Sequence, residues 1–191
     1  MTDPDHDDLI PALRLALVPG VGPRIRQALL ERFGTPQAVL AAAPSQLCEV
    51  PGVGPKLTRK IAAAGEIDAE GTIALCRQHG VAIWTESDPV YPRMLKEIHD
   101  PPGVLFVRGE LRPEDAVAVA IVGTRHGTHY GLTQAERLAA SLARAGVTII
   151  SGLARGVDAA AHRGALSAGG RTIAVLASGV SNSSPPRRHE T

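Results

Sequence analysis

Six residues, Val18-Pro19-Gly20-Val21-Gly22-Pro23, recur unchanged as Val50-Pro51-Gly52-Val53-Gly54-Pro55. Each copy leads into a basic, helix-forming stretch, Arg24 to Leu30 in the first and Lys56 to Ala62 in the second. Each follows an apolar stretch of helical period, Leu9 to Leu17 and Ala38 to Leu47. Few folds accommodate such a repeat. Residues 9–64 read as two helix–turn–helix units packed on each other, within a helical domain spanning 1–66. Glycines at both ends of Gly-Val-Gly allow backbone angles that other residues avoid, and the valine between them can plug a small core. Pro23 and Pro55 stand where a first helical turn tolerates proline.

The free N–H groups of such a turn can face an anion. The turn resembles the helix-hairpin-helix motif of SAM-like domains, which grips DNA backbone. That resemblance implies contacts from Gly20, Gly22, Arg24, Gly52, Gly54 and Lys56. Arg26, Arg59 and Lys60 add basic charge nearby. The same pattern also suits a compact helical scaffold for protein contacts, since a charge run on a helix is usually a solvated face.

Residues 67–115 read as a connecting region. It holds a helix from Ile67 to His79, a short strand Val81 to Trp84, a short helix Tyr91 to Ile98, a second strand Val104 to Val107 and a loop. The period then changes. Ala116 to Val122, Val147 to Ile150 and Thr172 to Leu176 are continuous apolar runs of strand length. Between them lie helical segments, Gly131 to Ala145 and Asp158 to Ala168. This alternation predicts a parallel α/β sheet, Rossmann-like and covered on both faces, over 116–191.

In such sheets ligands bind beyond the carboxyl ends of the strands. Three loops occupy that edge: Gly123-Thr124-Arg125-His126-Gly127, Ser151-Gly152-Leu153-Ala154-Arg155-Gly156-Val157-Asp158 and Ala177-Ser178-Gly179-Val180-Ser181. Their small residues let a ligand approach backbone N–H groups. Arg125 and Arg155 add guanidinium forks that suit phosphate, and Thr124, Ser151 and Ser178 add hydroxyls. Strand ends also need small residues for tight turns alone. The dinucleotide fingerprint and the phosphate loop ending in Gly-Lys-Ser/Thr are both absent. Asp158 and His162 share one helix face. They suit an acid–base pair or substrate clamp, or else a helix cap and a locally packed imidazole.

Several segments resemble the DNA-processing protein A family (DprA/Smf). These are Tyr91-Pro92-x-x-Leu95-x-x-Ile98-x-Asp100-x-Pro102, Ile121 to Arg125, Tyr130-Gly131, Ser151 to Asp158 with Ala161-His162, and Gly169-Gly170-x-Thr172 to Leu176. The resemblance spans about residues 85–180. It implies a protein without enzymatic activity or cofactor, which binds single-stranded DNA, dimerises and helps load a RecA-type recombinase in natural transformation. It also implies a DNA phosphate pocket at Gly123, Thr124, Arg125, Ser151, Gly152, Ala154, Gly156 and Asp158, with Arg155 added from its charge. The alternatives are a nucleotide-hydrolysing Rossmann-like enzyme, whose Pro-Gly-Gly-x-Gly-Thr loop is absent, and a protein-interaction scaffold.

Composition narrows the partners. A formal net charge of +1 requires any anion site to be a local patch. Two cysteines without metal-ligand spacing suit a reducing compartment. No apolar run nears the roughly 18 residues of a membrane span, and the acidic start is no signal peptide, so a cytoplasmic protein is expected. Aromatic residues form 3% of the chain, so a platform stacking many bases is excluded and phosphates must dominate. Near the end, Ser181 and Ser184 stand where the family usually has aspartate and tyrosine. Further strands and helices are usual beyond Thr191. A truncated chain with lowered stability and lost dimerisation is therefore expected.

Overall fold

A computed structural model of the chain describes residues 4–176. The third loop, Ala177 to Ser181, and the departures at Ser181 and Ser184 lie outside those residues. The chain divides into two compact units, Met1–Gly109 and Glu110–Thr191.

The first unit opens with the repeat. Its helices are α1 (Pro4–Leu17), α2 (Pro23–Phe33), α3 (Pro36–Ala41), α4 (Pro44–Cys48) and α5 (Pro55–Ala62). The apolar stretch expected to run from Ala38 to Leu47 is divided between α3 and α4. Pro44 has no N–H and holds Ala43 in extended backbone, at ψ 144°. Val18, Val21, Val50 and Val53 are all buried, in one core with Leu15, Leu29, Val39, Leu47 and Ile61. Each turn is closed the same way: Val21 N–H donates to Val18 O and Val53 N–H to Val50 O, both at 3.0 Å.

The two hairpins clasp each other reciprocally. A Cβ on Gly52 would stand 2.6 Å from Ile25 Cδ1, and one on Gly20 would stand 3.3 Å from Leu57 Cδ1. Ile25 and Leu57 hold the same place in the two repeats. Lys60 Nζ donates to Pro19 O across the pair at 2.9 Å. Only the first glycine of each turn needs glycine's freedom, at φ +105° for Gly20 and +85° for Gly52. Gly22 and Gly54 are helix N-caps in ordinary extended backbone, at φ −82° and −93°. The expectation of unusual angles at both ends is corrected accordingly.

The stretch after the hairpins belongs to the same unit. Asp68 caps α6 (Ala69–Gln78) by accepting from Gly71 N–H at 2.7 Å. That cap places the helix start two residues beyond the expected Ile67. Leu13 of α1 and Ala69 and Ile73 of α6 form a second core, with Ile83 and Val104 packed on it. Those last two lie in β1 (Val81–Thr85) and β2 (Val104–Arg108), an antiparallel pair with Val81 opposite Arg108. Between them runs α7 (Arg93–Lys96), one turn long. Tyr91 is buried and donates its hydroxyl to Pro102 O at 2.6 Å.

The second unit has the predicted alternation: β3 (Ala118–Ala120), α8 (His129–Arg144), β4 (Thr148–Ser151), α9 (Val157–Ser167) and β5 (Thr172–Ala174). The strands are parallel, in the order β3-β4-β5. Adjacent parallel strands joined by crossovers of one hand put both helices on one side of the sheet. There α8 and α9 meet at backbone contact. A Cβ on Gly164 would stand 2.2 Å from Glu136 O, and Ala139, Ala143, Ala161 and Ala165 fill the rest. Coverage of both faces is not seen among the described residues, where Val122 and Val175 are 73% and 62% exposed. At the amino end of the sheet, Arg171 Nε donates to Asp115 Oδ1 at 2.6 Å, and Thr148 Oγ1 donates to the same oxygen at 2.9 Å. These bonds hold the Asp115 carboxyl at a pKa of about 2, down from 3.8.

Candidate nucleic-acid interface

The carboxyl ends of β3 and β4 bring the first two loops into direct backbone contact. Gly156 makes this possible. Its φ of +88° is a conformation that L side chains rarely adopt, and a Cβ there would stand 2.2 Å from Thr124 O and 2.8 Å from Arg125 Cα. Val157 N–H then donates to Thr124 O at 3.2 Å. Gly123 fits against Val157, where a Cβ would stand 2.9 Å from its side chain. Leu153 is the one non-glycine residue at positive φ among those described, at 56°. Such backbone persists only where the surroundings hold it.

Arg125 and Arg155 emerge from this contact. Arg155 directly precedes Gly156, and the Arg125 main chain lies against Gly156. Both arginines are exposed, and neither has an acid partner among the described residues. Two guanidinium forks are thus rooted on touching backbone and aimed at solvent. Thr124 is exposed beside them, its Oγ1 accepting from His126 N–H at 3.2 Å. Ala154 is half-buried, and its carbonyl accepts from Ala159 N–H at 3.1 Å.

The remaining loop residues face inward. The Ser151 hydroxyl is buried and donates to Ile121 O at 2.7 Å, so it ties β4 to the end of β3. Asp158 is buried at the start of α9. It does not cap its own helix, whose N-cap is Gly156 without a side-chain bond. Instead its Oδ1 accepts from Gly123 N–H at 3.3 Å and its Oδ2 from Gly152 N–H at 3.2 Å. The Gly152 N–H, expected with that of Gly156 to face a phosphate, is therefore already taken, and so is the Gly123 N–H. His162 shares the face with Asp158 but bonds elsewhere. The Thr172 hydroxyl donates to Ile149 O at 2.7 Å and so accepts from His162 Nδ1, also at 2.7 Å. Among the described residues, Nε2 is left buried without a hydrogen bond. Burial pushes this imidazole below its ordinary pKa, while the Asp158 carboxylate and the Ser151 backbone pull it partly back.

Sequence reasoning passed over Tyr130 as a site residue. It lies in the first turn of α8, at the same strand edge, and is 74% exposed. Helical side chains lean towards the N-terminus, which here is the Arg125 loop. The signal available was its place five residues after Arg125, in a chain with few aromatics.

In the first unit, α2 and α5 begin without side-chain caps at Gly22 and Gly54. A Cβ on either glycine would meet nothing within 4 Å among the described residues. Arg24 and Lys56 are exposed beside them. Arg26, expected to add free charge, is instead paired with Glu86 at 2.7 Å, and Lys60 is bonded to Pro19 O. Among the described residues no helix is long and apolar enough to cross a membrane.

A family model described as DNA recombination-mediator protein A matches residues 82–191, which include both arginine loops. The chain belongs to the DNA recombination-mediator protein A family. A model for the SAM-like helix-hairpin-helix tandem matches residues 12–64, ahead of the family's own region. Within the DprA/Smf relatives, Protein Smf of Synechocystis sp. is 37% identical over 180 residues, covering 91% of this chain and 45% of that protein. DNA processing protein DprA of Bacillus subtilis is 39% identical over 114 residues, covering 59% of this chain and 38% of that one. The X-ray structure of DNA processing protein A (DprA) from Streptococcus pneumoniae superposes with a TM-score of 0.63 at 28% identity, covering 87% of this chain and 56% of that chain. The chain thus spans about half or less of the length of these DprA/Smf relatives.

Proposed function

We propose that this chain carries the part of a recombination mediator that grips single-stranded DNA by its phosphates and helps deliver it to a RecA-type recombinase in the cytoplasm. One observation carries the reading: Arg125 and Arg155, exposed and without an acid partner among the described residues, rise from a single backbone contact at Gly156. Two forks so close together suit consecutive phosphates of one strand. Tyr130 supplies a face on which an unpaired base can stack, and a duplex, with its bases already stacked, gains nothing there. Family membership supports the same reading. Binding of this kind is salt-dependent and indifferent to sequence, with log K falling by about 0.7 per neutralised phosphate for each decade of salt on a single strand.

The hairpins favour a second DNA contact on the first unit. Gly22 and Gly54 have open space where a side chain would be, and the uncapped helix starts beside them can face phosphate.

The test is a titration of single-stranded against duplex oligonucleotides at two salt concentrations. Arg125→Ala should weaken binding to every sequence alike and flatten the salt dependence. Unchanged affinity in this variant defeats the reading. Release of free base from nucleotides would point to hydrolysis instead.

A further inference from the structure

A carboxylate under a phosphate site has the wrong charge for a ligand. Asp158 is 6% exposed, stands at the start of α9, and has no Lys or Arg paired with it among the described residues. Both its oxygens are engaged, by Gly123 N–H at 3.3 Å and Gly152 N–H at 3.2 Å. Those amides open the two loops that carry Arg125 and Arg155. Gly152 is shaped for this role, since a Cβ there would stand 2.9 Å from Asp158 Oδ2. The helix N-terminus and the two N–H dipoles stabilise the buried negative charge.

We propose that Asp158 is a positioning residue: its carboxylate stands in the inner anion site permanently, latches the two loops together, and takes no part in holding DNA. This rests on the phosphate-binding reading above. The latch accounts for how the chain's own atoms hold the left-handed Leu153 and the Gly156 contact. It also leaves the arginine side chains, rather than these two amides, to meet the phosphates.

Charge and geometry make opposite predictions for Asp158→Asn. If Asp158 acts only through its charge, removing that charge relieves repulsion and DNA binds more tightly. If it is a latch, the Asn amide nitrogen cannot accept from an N–H, one loop is released, and affinity falls although the site has become more positive. The experiment titrates an oligothymidylate against the wild type, Asp158→Asn, Gly152→Ala, the double variant and Arg125→Ala across a salt series. Amide hydrogen exchange at Gly123 and Gly152 is followed without DNA.

Asp158→Asn should bind about tenfold more weakly with an unchanged salt slope, whereas Arg125→Ala loses affinity with a shallower slope. Gly152→Ala strikes the same contact, so the double variant should be little weaker than the worse single one. General loss of stability would not produce that non-additivity. Tighter or equal binding by Asp158→Asn, or a fully additive double variant, overturns the latch. Amide exchange decides independently of DNA and of whether any variant folds. Slow exchange of both glycine amides in the wild type is expected, and exchange at free-loop rates overturns the proposal. Should the wild type fail to bind the oligonucleotide, the phosphate reading falls, and slow exchange would still show that the latch holds the loops.

Discussion

The hairpins and the sheet loops carry the same signature, glycine turns at helix starts beside exposed basic residues, for different physical reasons. In the sheet unit the chain's own atoms fill the space of each loop glycine: Val157 beside Gly123, Asp158 beside Gly152 and the Thr124 carbonyl beside Gly156. Glycine is required there by the fold, and two of its N–H groups are consumed. In the hairpins the demand is divided. Gly20 and Gly52 are needed for left-handed backbone and for the reciprocal clasp with Leu57 and Ile25. A Cβ on Gly22 or Gly54 would meet nothing among the described residues, so packing there does not explain them. A small-residue loop thus marks a close approach without saying what approaches. Side chains at the sheet edge and backbone at the hairpins are what the described residues leave exposed.

The sharpest break in this contrast would come from Gly156→Ala. Left-handed backbone and a 2.2 Å approach to Thr124 O are both incompatible with a Cβ, so a loss of about 3 kcal/mol or more is expected. A melt of this variant near the wild-type temperature would show that the two loops do not meet as described.

Acid should weaken the sheet unit in two steps. The pKa of His162 is depressed by burial from its ordinary 6.5. Its contribution is complete above that value and is lost as pH falls below it, because the unfolded chain then takes up a proton that the fold resists. Asp115 is depressed from 3.8 to about 2, so its contribution is present above 3.8 and is lost as pH falls towards 2. That step is worth on the order of 2 kcal/mol. Melting temperatures measured against pH should show both steps, and Arg171→Gln should flatten only the lower one.

A smaller difference separates the hairpin glycines. Gly52→Ala should cost about 1–2 kcal/mol from strain and the 2.6 Å approach to Ile25. Gly22→Ala and Gly54→Ala should each cost under about 1 kcal/mol while reducing DNA affinity. Equal destabilisation by Gly22→Ala and Gly52→Ala in chemical unfolding would erase the distinction.

Features repeated or periodic along the chain were legible in the sequence. The duplicated Val-Pro-Gly-Val-Gly-Pro announced both hairpins, and the run of β-branched residues from Val147 to Ile150 announced the central strand. Local punctuation trimmed the expected elements. The 3-10 turn Pro113–Ala116 absorbs the start of the run expected to be a strand from Ala116, and Thr128, accepting from Gly131 N–H, starts α8 ahead of Gly131. Whatever depends on which elements become neighbours stayed hidden. Antiparallel pairing of β1 with β2 and the packing of both helices on one face follow from strand order, which no local pattern encodes. Asp158 was picked out by motif, yet its partners are main-chain amides, one of them 35 residues away. Arg26 read as free charge because its partner Glu86 lies 60 residues off.

Arg125 and Arg155 should matter least to folding, with single Ala variants within about 0.5 kcal/mol of the wild type, and most to binding. The salt dependence of oligothymidylate affinity for the wild type and for Arg125→Ala/Arg155→Ala is therefore decisive. The slope of log K against log salt should become shallower by about 1.4 for two lost phosphate contacts, with melting unchanged. An unaltered slope and affinity in a folded double variant would show that the strand is held elsewhere on the chain.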